Sequence, residues 1–509
     1  MITVINENLY QGNYDELNIS VQGGIDYDVY DSLNVTLKIN KEGNHYTIRH
    51  NLDLYNANHT EKLNRKIDEE LGIGITSARM ALSSLTDDLE ELRNNTQERE
   101  ETDATTEYQL SEDEQEEAIE LLSSIDLLAK TNCLITQSGV IGEEINRQLM
   151  YLIYTSRLTN NPLHSIIFGS SGSGKTHLQS KIADLIPPEH KVEITSLTAN
   201  SFYYREQHEL KQKLILIEDM DGAQEALLPI RELQTKKRIT KSIVQKGIGG
   251  FGRTVNHIVE GPVCVSGCTT QESIYEDNSN RSFLLYVDES LEQDARINAY
   301  QRMIYAGKVD ESNQRDATNL LRNAQRLLKP IKVINPFAEY LALPSSVFKP
   351  RRTNIHYLQL IEVITFYHQY QRKEQYDEST GEAYIETTLE DIRMANTLIK
   401  DVLLRKSDTL NGVTRNYLNR LKEYINSTHS RFFTNREIRK EFGIPETTLR
   451  RYHSLLVEEQ FIAKSRESAD DSFSYYLTGL DEFESIDNAI EQALQLCIEN
   501  IANPPEVRH

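Results

Sequence analysis

The residues whose types and spacing could do chemistry stand together between positions 169 and 177. Gly169, Gly174, Lys175 and Thr176 fill every fixed position of the pattern G-x-x-x-x-G-K-[ST]. Such a glycine-rich turn points backbone N–H groups at phosphate oxygens, while the lysine reaches the β and γ phosphates and the threonine hydroxyl ligates Mg²⁺. The pattern predicts a nucleoside triphosphate site, the alternative being a glycine-serine loop that only resembles one. The predicted binding residues are Gly169, Ser170, Ser171, Gly172, Ser173, Gly174, Lys175, Thr176 and His177.

Two apolar segments must place this loop and supply its carboxylates. The strand-like run Ile166–Phe168 leads into the loop, and a helical pattern follows it. Further on, the apolar run Leu214–Ile217 forms a second predicted strand that ends in Glu218 and Asp219. The candidate Mg²⁺ ligands are Thr176, Glu218 and Asp219. Of the two acids, we expect Glu218 to lie near the metal and Asp219 to polarise the attacking water. The roles stay open, because the usual order is Asp then Glu and Asp221 follows shortly after; strand-capping acids are the alternative.

A basic, glycine-rich segment lies between the acidic strand and the next apolar strand. Ile239–Glu260 consists of two alternating segments around a cluster of glycines, a pattern that predicts a β-hairpin with a flexible tip. In the pore of a ring, its lysines could grip phosphates and an aromatic side chain could stack on a base. The alternative is a surface hairpin with solvated lysines. The predicted DNA-binding residues of the hairpin are Lys241, Lys246, Phe251 and Arg253.

Three single residues complete the predicted site. Thr269 ends a buried strand, where a sensor residue could hydrogen-bond the γ phosphate or the attacking water. Arg281 enters the following strand and is placed to reach a neighbouring subunit's nucleotide as an arginine finger. Arg352, with Arg351 as the alternative, opens an apolar helix and could reach back to the γ phosphate. The competing interpretations are a plain strand-end threonine, a surface salt bridge and pairing at a helix start.

Charge is distributed unevenly along the chain. The net charge is −23, but Asp87–Glu120 alone holds fifteen acidic residues against two arginines. We interpret this stretch as a solvated tether, with a nucleic-acid mimic or a partner tail as the alternative. The four cysteines lack paired C-x-x-C spacing, long apolar runs are missing, and the polar amino terminus resembles no signal peptide. These features predict a soluble protein of the reducing cytoplasm, without a zinc site or disulfides.

The two ends of the chain predict separate modules. Residues 1–86 combine strand-like runs with a helical pattern, which indicates a small α+β module suited to docking or assembly. Near the other end, Thr434–Phe461 shows two helical segments around a Gly443–Pro445 turn, and two strand-like pieces follow. This pattern is typical of a winged helix, which binds duplex DNA or serves as a protein adaptor. The residues predicted to contact DNA are Arg450 and Arg451, with Tyr452 and Lys464 beside them.

The order of phosphate loop, acidic strand, hairpin, sensor strand, finger arginine and lid arginine resembles an AAA+ ATPase. A hairpin before the sensor strand resembles the helicase-like branch that includes the minichromosome maintenance proteins. The phrases GPVCVSGCTT (Gly261–Thr270) and PRRTNIHYLQLIEVITFYHQYQR (Pro350–Arg372) are similar to the helicase-like portion of primase-associated proteins of bacterial mobile elements. The resemblance implies ATP and Mg²⁺ as cofactors and a homo-oligomeric ring. A primase core is missing, so a separate primase partner is expected.

The expected fold is α/β, with an AAA+ P-loop core, a helical lid, a small N-terminal α+β module and a C-terminal winged helix. The expected divisions are 1–86 module, 87–117 acidic linker, 118–290 nucleotide-binding core, 291–378 lid, 379–410 helical connector, 411–480 winged helix and 481–509 peripheral acidic tail. The expected function is a hexameric ATP-dependent DNA translocase or helicase that replicates a mobile element. Two alternatives stay open: an ATP-controlled initiator or loader on duplex DNA, and a remodeller of proteins in a replication or defence complex.

Overall fold

The chain folds as two units, Met1–Gln109 and Leu110–His509. A computed structural model describes residues 2–6, 9–25, 32–41, 43, 46–105, 108–195, 198, 200–221, 227–246, 252–270, 280–344, 347, 349–408, 410, 412–465, 474–479 and 482–503. Within these ranges, no helix combines the length and the apolar character needed to cross a bilayer.

The first unit is a five-stranded antiparallel sheet covered by two helices. Its elements are β1 (Ile2–Asn6), β2 (Leu9–Tyr14), β3 (Leu17–Gln22), β4 (Asn34–Lys41), β5 (Thr47–Asp53), α1 (Ala57–Leu71) and α2 (Ile75–Thr105). The strands pair in chain order, and alternation along β4 buries Val35, Leu37 and Ile39. Leu63 and Ile67 of α1 pack on that buried face. The strand-like runs and the helical pattern predicted for this region are therefore confirmed.

The acidic stretch that was expected to be a tether is helical over much of its described length. Helix α2 runs unbroken to Thr105, and Leu89 is fully buried in the core of the first unit. The next helix, α3 (Glu112–Ser123), begins at a capping box formed by Ser111 and Glu114. Its acidic first turn also suits the positive end of the helix dipole, so the acids stabilise the helix start.

A five-stranded parallel sheet forms the centre of the second unit. The elements of this region are α4 (Leu127–Gln137), α5 (Glu144–Thr155), β6 (Ser165–Phe168), α6 (Lys175–Ala183), β7 (Lys191–Ile194), β8 (Lys213–Ile217), α7 (Leu227–Lys236), β9 (Arg238–Lys246), β10 (Gly252–Glu260), β11 (Val263–Thr269) and β12 (Phe283–Tyr286). The strand order is β12-β6-β11-β8-β7. Apolar side chains cover both faces, which is why these strands are continuous apolar runs rather than alternating ones.

Strands β9 and β10 form a separate two-stranded antiparallel sheet. The register pairs Arg238 with Glu260 at the base and Lys246 with Gly252 near the tip. Ile239 and Val259 are buried at the base. Strands of this length extend roughly 30 Å, at about 3.3 Å per residue. The hairpin predicted from the sequence is confirmed, while its tip at 247–251 lies outside the described residues.

Helices dominate the rest of the second unit. Its elements are α8 (Leu291–Tyr305), α9 (Glu311–Leu327), β13 (Lys332–Ile334), α10 (Pro350–Tyr367), β14 (Gln375–Tyr376), β15 (Ala383–Glu386), α11 (Leu389–Ser407), α12 (Gly412–Thr428), β16 (Phe433–Thr434), α13 (Asn435–Phe442), α14 (Glu446–Glu458), β17 (Ile462–Ser465), β18 (Ser474–Leu477) and α15 (Glu482–Ala502). The helix pair α13–α14 and the antiparallel pair β17–β18 form where the sequence predicted two helices and two strands.

The acidic carboxyl-terminal segment is not peripheral, contrary to expectation. Ile490, Leu494 and Cys497 of α15 are buried in the main core of the second unit. Lys400 of α11 forms ion pairs with Asp487 and Glu491 of α15, at 3.2 and 2.9 Å. The apolar face of α15 therefore packs on α11, and acids beside that face pair with a lysine of α11.

Candidate nucleotide site

The phosphate loop lies between β6 and α6, at the carboxyl edge of the parallel sheet. Gly172 and Gly174 have φ values of 83° and 92°, in the left-handed region that favours glycine. A side chain at either position would meet no atom within 4 Å, so the loop is open to a ligand. Ser173 Oγ is buried, and the described residues offer it no hydrogen-bond partner. An open cradle at a helix amino terminus, with an unsatisfied hydroxyl, fits a phosphate group.

Lys175 and Glu289 both hydrogen-bond the backbone at the start of the phosphate loop. The Lys175 side chain is buried, and its Nζ donates to the carbonyl oxygens of Gly169 and Ser170 at 2.9 and 2.6 Å. The Glu289 carboxylate, from the loop after β12, accepts the Ser170 N–H at 2.6 Å. No sequence signal singled out Glu289, because a lone glutamate in a polar loop has no motif. His177 follows in the first turn of α6, and desolvation and Lys181 lower its pKa.

Glu218 and Asp219 follow β8 directly and are both exposed. The next residue, Met220, fixes the chain here, since its N–H donates to the Cys268 carbonyl at 2.9 Å and its side chain is buried. Met220 fits because residue 267 is glycine: a Cβ on Gly267 would lie 2.2 Å from the Met220 sulfur. The close approach of β8 and β11 thus delivers both acids to the carboxyl edge, as predicted.

The buried thiol of Cys268 lies near several of the predicted metal and phosphate ligands. Burial is the main reason that the pKa of Cys268 rises to about 12. The charge of Lys175 and a hydrogen bond with Thr176 lower this pKa, whereas Glu218 and Asp219 raise it further. Four predicted site residues therefore act on one buried atom. A hydroxyl and two carboxylates around this point form an oxygen-rich set of the kind that Mg²⁺ prefers.

Asp221 is the acid that contacts the predicted sensor strand. Thr269 Oγ1 donates to one oxygen of its carboxylate, and Thr270 donates to the other through its N–H at 3.2 Å and its hydroxyl at 2.8 Å. The Asp221 N–H in turn donates to Asp219 Oδ1 at 2.8 Å. A chain of hydrogen bonds therefore runs from the sensor threonine through Asp221 to Asp219. The sequence left the role of Asp221 open.

Arg281 lies at the opposite edge of the sheet. Phe283 pairs with Ser165 and Tyr286 with Phe168 in the parallel β12–β6 register. Arg281 precedes β12 and therefore lies beyond the amino edge of the sheet. The phosphate loop follows β6 at the carboxyl edge, and the two edges are about 10 Å apart along the strands. Arg281 Nε donates to Thr235 Oγ1 of α7 at 3.2 Å. Burial, followed by the charge of Arg281, lowers the pKa of the nearby His164 to about 3.

Arg352 lies with the amino edge and not with the chain's own phosphate loop, contrary to the expectation that it reaches back to the γ phosphate. Lys349, Arg351 and Arg352 line an open pocket of about 450 Å³ together with Asn280. The cause is the packing of α10 on β12, where His356 stacks on Phe283 with ring centres 5.3 Å apart. This contact positions α10 so that its first residues, which precede His356, lie beside Asn280.

The predicted DNA-binding residues are described only in part. Lys241 lies on β9 with its Nζ over two tyrosine rings. Phe251 lies outside the described residues, as do the side chains of Lys246 and Arg253. In the helix pair, Arg450 and Arg451 are exposed on α14, and Lys464 is exposed on β17. Tyr452 is buried in the core of this region and is not a surface contact.

Comparisons with known proteins identify the nucleotide-binding region. Residues 110–330 match the family described as MTBMA_p00010 P-loop domain. No curated protein matches the chain. Together with the parallel sheet and the loop geometry, the family match shows that the second unit contains a P-loop NTPase core, which binds nucleotide.

Several solved structures are similar at low identity. A full-length MCM homolog from Methanopyrus kandleri is 13% identical, with a TM-score of 0.39, over 59% of this chain and 63% of that one. The chain therefore spans less than two thirds of that protein. Drosophila ORC bound to DNA is 12% identical, with a TM-score of 0.22, over 79% of this chain and 100% of that chain. An active helicase, SCCmec type IV Cch, is 10% identical, with a TM-score of 0.21, over 95% of this chain and 98% of that chain.

Proposed function

We propose that the protein is an AAA+ ATPase that assembles as a homo-oligomeric ring, expected to be a hexamer, and hydrolyses ATP to move along or unwind DNA. Its setting would be the replication of a mobile element, with primase activity on a separate subunit. The residues Gly169–His177 bind the triphosphate, and Thr176 and Glu218 hold Mg²⁺. Bound Mg²⁺ neutralises charge on the β and γ phosphates. Asp219 accepts a proton from the attacking water, while Thr269 and Asp221 orient Asp219.

The observation that carries this proposal is the position of Arg281. Phosphoryl transfer spreads negative charge over the γ oxygens, and an arginine that meets this charge raises the rate. Within one chain, Arg281 and Arg352 lie at the amino edge, on the far side of the sheet from the phosphate loop. Their cations therefore serve the nucleotide of a neighbouring subunit, and head-to-tail contacts of this kind close into a ring.

DNA as the substrate is supported by the hairpin. In a chain of net charge −23, strands β9 and β10 carry Arg238, Lys241, Lys246 and Arg253 against the single acid Glu260. The hairpin stands outside the parallel sheet, joined to the core at its base through Ile239 and Val259. A basic projection on an acidic protein is complementary to a phosphate backbone.

The test mixes two variants that are inactive alone. Lys175→Ala removes the phosphate contact at the carboxyl edge, and Arg281→Ala lowers turnover about 10³-fold by removing the transition-state contact at the amino edge. In a mixed assembly, some interfaces join an intact loop to an intact arginine, so ATP hydrolysis should reappear on mixing. Arg315→Ala, an exposed arginine of α9, is the control that should retain turnover. If the mixture stays inactive although the two variants co-assemble, Arg281 does not act across an interface.

A second candidate is an ATP-controlled initiator that binds duplex DNA without translocating. The exposed Arg450 and Arg451 on the second helix of the α13–α14 pair favour it. Arg450 is paired with Glu446, however, which reduces the charge available to a phosphate. An initiator would bind duplex DNA with ATP bound and release it after one turnover, whereas a translocase would hydrolyse many ATP molecules per DNA molecule bound.

A further inference from the structure

A pair of tyrosines lies beside the basic hairpin, on a short 3₁₀ helix, Ser201–Tyr204, between β7 and β8. Phe202 is buried and anchors the helix in the core under the sheet. Tyr204 is 62% exposed, and Tyr203 is half-buried. The buried Phe202 therefore holds the rings of Tyr203 and Tyr204, which follow it, at the surface.

Both rings meet the hairpin at Lys241. The Lys241 Nζ lies 4.9 Å from the centre of the Tyr204 ring and 5.5 Å from that of Tyr203. His257 is opposite Lys241 in the β9–β10 register, and its ring contacts the edge of Tyr204 with centres 5.9 Å apart. We call Tyr203, Tyr204, Lys241 and His257 the tyrosine–lysine surface.

The composition of this surface favours one class of partner. A planar ring in water offers a face on which any nucleobase can stack, whatever the base sequence. A lysine within one nucleotide's length can meet the adjoining phosphate. Lys241 is held there only by weak exposed contacts, the cation–π contact and a 3.5 Å hydrogen bond to the Tyr204 hydroxyl, so it can leave the rings at little cost. Duplex DNA hides its base faces, so it does not exploit the tyrosines.

We propose that the tyrosine–lysine surface binds single-stranded nucleic acid, with a base stacked on Tyr204 and the neighbouring phosphate at Lys241. The inference rests on the proposed function, because it assigns the strand-contacting residues of a DNA translocase. It adds a stacking element that lies on the core beside the hairpin and is not part of the hairpin.

The test compares two labelled strands of equal length, oligothymidine and an abasic deoxyribose-phosphate strand, by fluorescence anisotropy with a non-hydrolysable ATP analogue. Tyr204→Ala should bind oligothymidine about tenfold more weakly than the unsubstituted chain, and Tyr204→Phe should bind it normally. Neither change should alter binding of the abasic strand, because that strand has no base to stack. Tyr376→Ala removes a tyrosine of similar exposure, 65%, far from the hairpin in sequence and should change neither affinity.

The outcomes separate this inference from the proposed function. If the unsubstituted chain binds oligothymidine and Tyr204→Ala binds it equally well, the stacking site is wrong and the translocase proposal stands. If Tyr204→Ala weakens both strands alike, the surface does not recognise bases. If the unsubstituted chain binds neither strand, both proposals are contradicted.

Discussion

The two edges of the parallel sheet differ in the groups that they present, and the proposed function assigns to them the two halves of one catalytic site. At the carboxyl edge, the phosphate loop and Asp219 can bind a nucleotide and activate water. At the amino edge, Arg281 and Arg352 offer the positive charge that a transferring phosphoryl group needs. Parallel strands force this separation, because every loop after a strand lies on one side and every segment before a strand lies on the other. In the proposed mechanism neither edge is sufficient alone, so a neighbouring subunit supplies the other half of the site.

The largest expected effect that sharpens this comparison concerns Asp221. Replacing Asp221 with Ala removes the carboxylate that accepts from Thr269 and Thr270 but keeps the backbone N–H that donates to Asp219. The turn after β8 then loses its link to the predicted sensor strand, so turnover should fall about 10²-fold with little change in nucleotide affinity. Asp221→Asn keeps one acceptor and should recover part of the rate. Steady-state phosphate release and the affinity for a fluorescent nucleotide measure the two quantities.

Mixing then shows to which edge Asp221 belongs. Asp221→Ala should be rescued in mixed assemblies by Arg281→Ala, because their intact halves meet at some interfaces. It should not be rescued by Lys175→Ala, since both changes damage the same edge. The reverse pattern of rescue would assign Asp221 to the amino edge and contradict the described hydrogen bonds.

Local patterns predicted the carboxyl edge well. The strand, glycine loop and helix around Lys175 are contiguous in sequence, and so is the acidic end of β8. The hairpin register follows from alternation around a glycine-rich turn. In each case, the sequence pattern that predicts the structure lies within about twenty residues, so it can be recognised without knowledge of tertiary contacts.

The amino edge could not be predicted in the same way. Arg352 stands next to Asn280 only because α10 packs on β12 through His356, a contact between residues far apart in sequence. Glu289 meets the phosphate loop across 119 positions. The acids of α15 favour a peripheral tail in the sequence, yet its apolar residues pack in the core against α11. Contacts between residues far apart in sequence determine all three arrangements, and no local sequence pattern encodes such contacts.

A smaller effect tests the amino edge through pH. His164 is buried beside Arg281, and its pKa falls from 6.5 to about 3. In the unfolded chain His164 takes up a proton near pH 6.5, whereas in the folded protein it stays neutral down to about pH 3. The free energy of unfolding should therefore decrease as the pH falls from about 6.5 towards 3. The expected loss between pH 7 and pH 5 is about 2 kcal/mol.

His164→Asn isolates this contribution. Asparagine can still accept the Val265 N–H, which His164 Nδ1 accepts at 3.3 Å, but it does not titrate. Denaturant unfolding at pH 7 and pH 5 should show a shallower pH dependence in the variant. Other buried histidines, such as His190 and His453, titrate in both proteins and cancel in the comparison. Equal losses in the two proteins would mean that His164 is protonated in the folded state.

The smallest effect concerns Glu289, a negative charge beside a loop that binds anions. Its carboxylate supports the loop by accepting the Ser170 N–H, yet its charge repels a triphosphate, so two neutral substitutions can separate the two contributions. Glu289→Gln keeps an acceptor and removes the charge, and should tighten binding about threefold. Glu289→Ala removes the same charge together with the hydrogen bond, worth about 0.5–1.5 kcal/mol, so it should bind nucleotide at least about threefold more weakly than Glu289→Gln. Titration with a fluorescent ATP analogue at low and high salt measures both. The gain in the glutamine variant should shrink at high salt because it is electrostatic. Equal affinities of the two variants would show that the hydrogen bond to Ser170 does not support the loop, and equal affinities of the glutamine variant and the unsubstituted chain would show that the charge does not oppose the nucleotide.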